Sequence, residues 1–379
     1  MIIGIKDILK LFAITIVILC ATFVCTIFLN YNIDIRTVKD QVTTEQAIIV
    51  YNAEVSSGEV TAILSGGFLA LTAVVLLMFY IKNYIDNHAK ELGILKALGH
   101  SNLSIAKHFS VFGVSVLAGS VIGYVSAWIY MPKFYKLRND LGLLPDVAPR
   151  FNVGLFILIV IVPFLFFSFL AVIYAIIKLR KPVLMLVKDL KETKVKKQKE
   201  PKKERNFLKE LTVGNLLNGK TLCFFIFFSA FCFSMLIQMS MSMKELGSDQ
   251  FAWIMIVIGI ILGFVILLMS LSIVIKGNSK TIAMMKVFGY TSKEYSKAIL
   301  EGYRPIAYIG FILGSIFQYV ELKLIVDIVF KDFDNIPDVK FNFKGLLITL
   351  IIFLIAYEVI IYAYKRRIED QPIKEIMLE

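Results

Sequence analysis

The chain has 379 residues and a formal net charge of +12, and 58% of its residues are hydrophobic while only 18% are charged. Soluble domains carry about 45–50% apolar and about 25% charged residues, so this composition excludes an ordinary soluble enzyme and a disordered protein. Stretches of 19 to 25 nearly uncharged residues recur along the chain, and each is long enough to cross a bilayer as a helix. We therefore predict a multi-pass membrane protein.

Eight membrane-spanning helices are predicted. The apolar runs are continuous rather than alternating, which favours helices over barrel strands because a helix satisfies its own backbone groups in lipid. The first run is too long for the apolar region of a cleaved signal peptide and is expected to be retained. In chain order, the predicted spans are 11–29, 60–81, 109–131, 153–177, 222–243, 251–275, 298–320 and 345–364.

The distribution of Lys and Arg predicts the orientation of these spans. With the N-terminus in the cytoplasm, cytoplasmic segments hold 29 of the 41 basic residues and outer loops hold 10. Both termini are therefore expected to be cytoplasmic, in a bacterial cytoplasmic membrane. The basic segment 178–210 predicts a solvated hinge attracted to anionic lipid, with specific partner binding as the alternative. Topology and this segment account for the net charge, so no nucleic-acid partner is expected.

The two halves of the chain repeat one another at a nearly constant spacing of about 190 residues. Because each half contains four spans, the halves are expected to lie in the same direction in the membrane, related by an axis along its normal. The predicted divisions are a first unit at 1–190, a basic linker at 191–205 and a second unit at 206–379. The matched pairs include Lys90 with Lys280, Lys96 with Lys286, Gly99 with Gly289, Gly119 with Gly310, Gly123 with Gly314 and Pro182 with Pro372.

The loop between the second and third spans carries the most informative motif. In Lys90-Glu-Leu-Gly-Ile-Leu-Lys-Ala-Leu-Gly99, the residues Leu92, Leu95 and Leu98 recur every three positions, with Ile94 beside them, and predict one apolar face on a short helix. Gly99 is expected to end that helix, because glycine adopts a positive φ at little cost. A short amphipathic helix between two spans lies at the membrane surface, where its apolar face would enter a groove on a partner or the lipid.

This motif resembles a block found in the FtsX-like, or MacB-like, permeases of ABC transporters, where an acidic-Leu/Ile-Gly-x-Leu-(Lys/Arg)-Ala-Leu-Gly pattern follows the second helix. The resemblance implies an all-α membrane protein of two tandem four-helix units, in which this loop docks on a separate ATPase. The second copy at 280–289 has Thr281 and Ala283 where the first has Glu91 and Gly93. The residues implied to couple to the ATPase are Lys90, Glu91, Leu92, Gly93, Leu95, Lys96, Leu98, Gly99, Lys280, Met284, Met285, Lys286, Phe288 and Gly289.

The resemblance also implies a function. The chain would be a permease subunit without enzymatic activity or a cofactor of its own, with ATP and Mg²⁺ on two copies of the partner ATPase. It would transmit motion mechanically, for export or extraction of amphipathic peptides or lipid-like molecules, or for antimicrobial resistance. The alternative is a signalling or scaffold protein that regulates cell-wall hydrolases or sensors through an extracellular or membrane partner. The short outer loops at 30–58 and 244–250 leave no room for the large extracellular domain that family members often carry.

One motif imitates a nucleotide site. Gly214-Asn-Leu-Leu-Asn-Gly-Lys-Thr221 matches the phosphate-loop pattern, but a basic segment precedes it and a membrane span follows, so nucleotide binding is not expected there. We predict instead an amphipathic interfacial helix at 206–218. The residues expected to face lipid are Phe207, Leu208, Leu211, Leu216 and Leu217.

Ionisable residues within the predicted spans are few. Glu301 and Arg304 lie one helical turn apart in the seventh span, and Glu358 lies at a similar depth in the eighth. A local ion pair between Glu301 and Arg304 is predicted; a gating or packing lock and a proton relay are the alternatives. The four cysteines fall within spans and are interpreted as small hydrophobic residues, and no metal site is expected. The sequence contains no catalytic Ser/His/Asp constellation with a nucleophile elbow.

Overall fold

The computed structural model describes residues 12–139, 142–180, 182, 207–246, 249–299, 301–329 and 340–370. Across these residues the secondary structure is helical, without a strand. The predicted linker at 191–205 and both chain termini lie outside the described residues. The cytoplasmic location of the termini and the bounds of the predicted units therefore stay predictions.

One compact unit comprises Met1–Lys191 together with Leu322–Val339. In it, α1 packs against α2 and α5, and α7 packs against the same two helices, so that four long helices surround one core. Helices α6 and α7 are continuous through the π-helical turn Ile157–Ile161. The helices are α1 Phe12–Arg36, α2 Glu45–Asn87, α3 Ala89–Ala97, α4 Asn102–Ala106, α5 Phe112–Arg138, α6 Val153–Phe156 and α7 Val162–Leu179.

The other compact unit comprises Glu192–Glu321 and Lys340–Glu379. Helix α9 packs against α10 and α14, and helix α8 packs against α12. In each unit, the short helix that follows the second long helix (α3 or α11) marks what we call the short-helix end. The helices are α8 Phe207–Asn218, α9 Lys220–Leu246, α10 Asp249–Gly277, α11 Ser279–Val287, α12 Ser292–Ile299, α13 Arg304–Val329, whose residues from Leu322 onward are assigned to the first unit, and α14 Phe343–Asp370.

Seven helical segments of the described chain are long and apolar enough to cross a membrane. The sixth predicted span, 251–275, corresponds to the shorter apolar stretch Ile256–Ser272 within α10. The apolar runs of the sequence thus coincide with helices, while a count of eight spans stays a prediction. The seven segments are Ile14–Arg36, Glu45–Asp86, Asn102–Arg138, Val153–Leu179, Lys220–Ser242, Lys293–Ile328 and Phe343–Ala363.

Helices of the first unit extend beyond the predicted spans. Helix α2 has 43 residues, which corresponds to about 65 Å at 1.5 Å per residue, against about 30 Å of hydrocarbon. The predicted outer loop 30–58 is therefore largely helical, and only the residues between Arg36 and Glu45 lie outside α1 and α2. Hydropathy detects the part of a helix that lipid surrounds, so it misses polar extensions into water.

Paired glycines lie at a close helix contact in each unit. In the first unit they lie on α5 and face backbone carbonyls of α1; in the second they lie on α13 and face α9. Any side chain at these positions would collide with backbone, so the glycines permit the close crossing. The distances from a Cβ built on each glycine to the nearest carbonyl oxygen are 2.6 Å for Gly119 to Thr15, 2.5 Å for Gly123 to Leu19, 2.3 Å for Gly310 to Phe227 and 2.4 Å for Gly314 to Phe231.

Candidate functional site

Each short helix is joined to the preceding long helix through one residue whose side chain bonds backward. His88 lies between α2 and α3, with its Nδ1 3.1 Å from the Tyr84 carbonyl oxygen and its ring stacked on the Tyr84 ring at 4.3 Å. Asn278 lies between α10 and α11, and its Nδ2 donates to the Val274 carbonyl oxygen at 2.8 Å. In both cases the carbonyl also accepts the backbone N–H of the same residue, so the side chain adds a second bond at the end of the long helix. These bonds fix the conformation of the residue that joins the two helices.

Both short helices end as predicted at a glycine. Gly99 has a φ of 94° and Gly289 a φ of 83°, a region in which a residue with a Cβ is strained. The His100 N–H bonds to the Leu95 carbonyl at 3.1 Å, and the second unit repeats this bond at 3.0 Å. This six-residue closure is a Schellman cap, which satisfies carbonyls that the helix end would leave unpaired.

The outward side of each short helix is apolar, and it repeats from one unit to the other. Three residues at i, i+3 and i+4 share this side in each helix, the spacing that places side chains on one helical face. Leu98 is 74% exposed and its counterpart Phe288 is 76% exposed. The full sets are Ile94, Ala97 and the C-cap residue Leu98 for α3, and Met284, Val287 and the C-cap residue Phe288 for α11.

Burial corrects the predicted face of Leu92, Leu95 and Leu98. Leu92 is buried, Leu95 is half-buried and Leu98 is exposed. Steps of three residues advance about 300° around a helix, so two steps separate Leu92 from Leu98 by about 120°. Gly93 is also buried. The inward residues Leu92 and Gly93 are therefore not available to a partner in this conformation.

Met285 likewise belongs to the core rather than to the predicted apolar docking face. It is 2% exposed, whereas its neighbour Met284 is 50% exposed, because adjacent helical residues point about 100° apart. Met285 lies in the same buried cluster as Phe353 and Tyr357 of α14. The inner face of α11 is thus continuous with the core of the long helices.

Two charged residues of α3 are exposed, and a third bonds to another helix of the first unit. Lys90 and Glu91 are exposed. Lys96 is half-buried, and its Nζ donates to the Leu179 carbonyl oxygen at 2.7 Å. Desolvation lowers the pKa of Lys96, while a cation at the C-terminus of α7 is favoured by the helix dipole. In the second unit, the side chain of Lys280 lies outside the described residues, and Lys286 is half-buried.

The predicted ion pair of Glu301 and Arg304 is present, and it extends to Glu358. Arg304 Nη1 lies 3.7 Å from Glu301 Oε2, and Arg304 Nη2 lies 2.5 Å from Glu358 Oε1. Arg304 therefore joins the start of α13 to α14 near the short-helix end. The repeat-related positions in the first unit are Val114 and Ser168, so this ionic contact has no counterpart there.

Sequence reasoning missed a buried carboxylate at the opposite end of the first unit. Asp34 is 3% exposed, and its Oδ2 accepts bonds from Asn30 Nδ2 at 2.8 Å, the Tyr135 hydroxyl at 2.7 Å and the Arg150 backbone N–H at 3.1 Å. The i, i+4 spacing of Asn30 and Asp34 was the available signal, but these residues were predicted to lie in an outer loop. Three donors satisfy this carboxylate and hold α1, α5 and the segment before α6 together.

A second polar contact at that end joins α2 to α5. Arg138 Nη2 lies 2.6 Å from Glu54 Oε2, and the guanidinium carbon is 5.7 to 5.9 Å from the ring centroids of Phe28, Tyr31 and Phe134. Aromatic rings at this distance attract a cation through their quadrupoles. Glu54 and Arg138, which were predicted to lie in outer loops, therefore hold two helices together.

The phosphate-loop pattern adopts helical structure. Residues from Gly214 lie in α8, those from Lys220 lie in α9, and the Gly219 N–H bonds to the Asn215 carbonyl oxygen at 2.8 Å. Backbone N–H groups committed to helical bonds do not form a phosphate cradle.

The predicted helix is present from Phe207 to Asn218, but its predicted lipid face is partly wrong. Leu208, Leu211 and Leu216 are partly buried against the core of the second unit, while Phe207 and Leu217 are exposed. Helix α8 lies on α12, where Thr212 donates to the Ala298 carbonyl oxygen at 2.9 Å. Predicting this partner from the helix alone was not feasible, since an amphipathic face fits lipid and protein equally.

Within the part of the chain that the structure describes, no group of three His, Cys, Asp or Glu side chains is placed to hold a metal ion. None of the four cysteines forms a disulfide, and each is buried or half-buried.

The model of the FtsX-like permease C-terminal domain matches residues 63–184 and 253–371. The two matches begin and end at equivalent places in the repeat, and together they include more than half of the chain. No curated protein and no solved structure is significantly similar to the chain. Members of this family are non-catalytic membrane components of ABC transporters and normally partner with an ABC ATPase. With two matches in register with its repeat and several membrane-spanning helices, the chain belongs to the FtsX-like permease family and is a multi-pass membrane protein.

Proposed function

We propose that the chain is a permease subunit that couples ATP hydrolysis by a separate ATPase to mechanical motion across the membrane. The observation that carries this proposal is the pair of exposed apolar faces on α3 and α11. Each face presents a large side chain, Leu98 or Phe288, one residue before its terminal glycine. Apolar residues on an amphipathic surface helix are suited to a hydrophobic groove of a partner.

The attachments of the short helices support the transmission of force. In the first unit, α3 is tied to the end of α7 through Lys96, and His88, the residue between α2 and α3, bonds back to Tyr84 of α2. In the second unit, Met285 anchors α11 in the core that also contains Phe353. A push on the outward face would therefore move the ends of the long helices with it, because a close-packed core transmits displacement.

We further propose that the transported or extracted molecules are amphipathic peptides or lipid-like compounds, which includes membrane-active antimicrobials. The close helix crossings support the proposed mechanical coupling, since Gly119 and Gly310 let helices approach to backbone contact. Helices packed in this way are suited to moving together as a rigid body. Two ATPase copies, one under each short helix, would tilt the two units.

The docking proposal is tested by copurification of an ABC-type ATPase from native membranes, followed by the ATP turnover of the purified complex. Leu98→Asp and Phe288→Asp should each remove most of the bound ATPase, because a carboxylate is costly in an apolar groove. Leu103→Asp is the matched control, since Leu103 is 50% exposed but lies on α4. Retention of the ATPase by both variants would contradict docking on these helices. A wild-type permease that never copurifies with an ATPase would favour the scaffold or signalling alternative.

The orientation that docking requires has its own test. Asn52 and His100 are both exposed. Asn52 lies near the start of α2, whereas His100 follows the end of α3. In intact cells, an impermeant thiol reagent should label Asn52→Cys and leave His100→Cys unlabelled, with the parent protein as the control for its native cysteines. The reverse pattern would place the short helices outside and make docking on a cytoplasmic ATPase untenable.

A further inference from the structure

The fourth long helix of the first unit is interrupted by a π-helical turn. It consists of α6, the turn Ile157–Ile161 and α7. Where the turn ends, the Val162 N–H bonds to the Ile157 carbonyl oxygen, five residues back rather than the four of an α-helix. Pro163 follows at once and has no N–H, so the Ile159 carbonyl cannot accept the bond that an α-helix would place there. At this point the helix therefore lacks regular α-helical bonding.

Proline alone does not account for this turn. Pro132 lies inside α5, yet α5 is α-helical from Phe112 to Arg138. A π-turn next to a proline combines two of the features at which helices kink, and single π-turns within α-helices are frequent at functional sites. The turn therefore marks one particular place on the fourth helix at which bending is favoured.

The corresponding helix of the second unit is continuous. Helix α14 is α-helical from Phe343 to Asp370, and at the repeat spacing Phe353 takes the place of Pro163. Phe353 is fully buried, and its ring centroid lies 5.4 Å from that of Phe233 and 5.1 Å from that of Phe311. A phenylalanine supplies the backbone N–H that proline lacks, and the surrounding rings hold the middle of α14 in the core. The two units thus differ in stiffness at equivalent places.

The two halves of the interrupted helix have different neighbours. Helix α6 and the π-turn pack against α1, whereas α7 packs against α2 and α4. The last residue of α7 is also tied to α3, because the Lys96 ammonium donates to the Leu179 carbonyl oxygen at 2.7 Å. The half beyond the turn is therefore linked to the short helices, and the half before it is linked to α1.

We propose that the π-turn Ile157–Ile161 is a hinge, at which α7 pivots relative to α6 together with the short helices α3 and α4. The first unit flexes at this point, whereas α14 of the second unit moves as an unbroken rod. Helix α7 has 18 residues, or about 27 Å, so a change of about 10° in the bend displaces its end by about 5 Å. The trigger of this movement, ATPase docking on α3, rests on the proposed function, but the hinge itself is tested without an ATPase.

The test measures distances between pairs of spin labels by double electron–electron resonance. It uses the purified permease in nanodiscs, with the four native cysteines replaced by alanine. One pair joins exposed Ile177 near the end of α7 to exposed Val114 near the start of α5, an unbroken helix that serves as the reference. The other pair joins exposed Ile309 of α13 to exposed Tyr362 of α14. The distance distribution of the first pair should be several Å wider than that of the second.

Replacing the proline should stiffen the first unit. Pro163→Leu is expected to narrow the Val114–Ile177 distribution to the width found in the second unit, because leucine supplies the missing N–H and favours a continuous helix. Pro163→Ala does the same with a smaller side chain, and Pro132→Leu in α5 is the matched control that should leave the width unchanged. Thermal melting shows which variants are folded. Equal widths in the two units, or an unchanged width in every folded Pro163 variant, would overturn the hinge.

A further arm uses the complex with the copurified ATPase. A non-hydrolysable ATP analogue should shift the Val114–Ile177 distance by several Å in the parent protein and much less in Pro163→Leu, with the ATPase bound to both. A shift of the same size in both proteins would overturn the hinge as the path of the movement. Failure of the ATPase to bind would contradict the docking proposal instead, and the distributions measured without it would still decide whether the hinge exists.

Discussion

Lys96 and Leu179 are joined by a 2.7 Å hydrogen bond from the Lys96 ammonium to the Leu179 carbonyl oxygen, although they lie 83 residues apart. The bond ties the short helix α3 to the last residue of α7. A charged donor at a helix C-terminus satisfies a carbonyl that has no intrahelical partner. Lys96 thus has a bonding partner within the permease itself.

Removing this link should loosen the end of α7. Lys96→Met is expected to increase hydrogen exchange of the amides at 176–180 about fivefold, because a bond to a charged donor contributes about 1 kcal/mol when half-exposed. Lys90→Met on the same helix is the control, since Lys90 is exposed, and it should leave this exchange unchanged. Exchange mass spectrometry of the permease without its ATPase provides the measurement. An equal increase in both variants would show that the Lys96 bond is not responsible.

Met284 and Met285 should separate docking from stability, because one points outward and the other lies in the core. Met284→Ala is expected to weaken ATPase binding severalfold with unchanged thermal stability. Met285→Ala should destabilise the permease by about 2 kcal/mol, the usual cost of a cavity left by a core methionine. The measurements are ATPase affinity and thermal melting in nanodiscs. The same pattern for both variants would contradict the assignment of the two faces.

The ion pair of Arg304 and Glu358 should stabilise the second unit. Glu358→Ala is expected to lower the thermal stability more than Glu301→Ala, because Arg304 lies at 2.5 Å from Glu358 and at 3.7 Å from Glu301. A double-mutant cycle with Arg304→Met and Glu358→Ala should give a coupling energy of about 1 kcal/mol or more. A coupling energy near zero would show that the contact makes no net contribution. The Glu301 variant serves as the control on the same arginine.

Two glycines of the second unit should respond oppositely to alanine. Gly314→Ala is expected to destabilise the protein by about 3 kcal/mol, because its Cβ would lie 2.4 Å from the Phe231 carbonyl oxygen and force α9 and α13 apart. At Gly214 a Cβ meets no atom within 4 Å, so Gly214→Ala should be neutral or stabilising by about 1 kcal/mol through helix propensity. Thermal melting in nanodiscs ranks the two variants. Similar stabilities for both would contradict the close crossing.

The sequence alone determined the membrane class, the positions of the apolar helices and the tandem repeat. These features are carried by runs of neighbouring residues, because the free energy of placing a helix in lipid depends mainly on its own side chains. The ends of the short helices at Gly99 and Gly289 were equally predictable, since a positive φ is a local property of the backbone. The family resemblance of the first short helix was carried by nine consecutive residues, Glu91 to Gly99.

Only the tertiary structure decided which side chains face outward and which polar groups meet. Met284 and Met285 have the same side chain and are adjacent in sequence, but only Met285 is buried in the core. The partners of Lys96 and of Arg304 lie on helices distant in sequence, so no periodic pattern within one helix could reveal them. Hydropathy likewise could not show that α2 has 43 residues, about twice the number that crosses the hydrocarbon layer. Such contacts form only when several helices pack together. The distances between side chains on different helices contribute to stability only in the assembled structure.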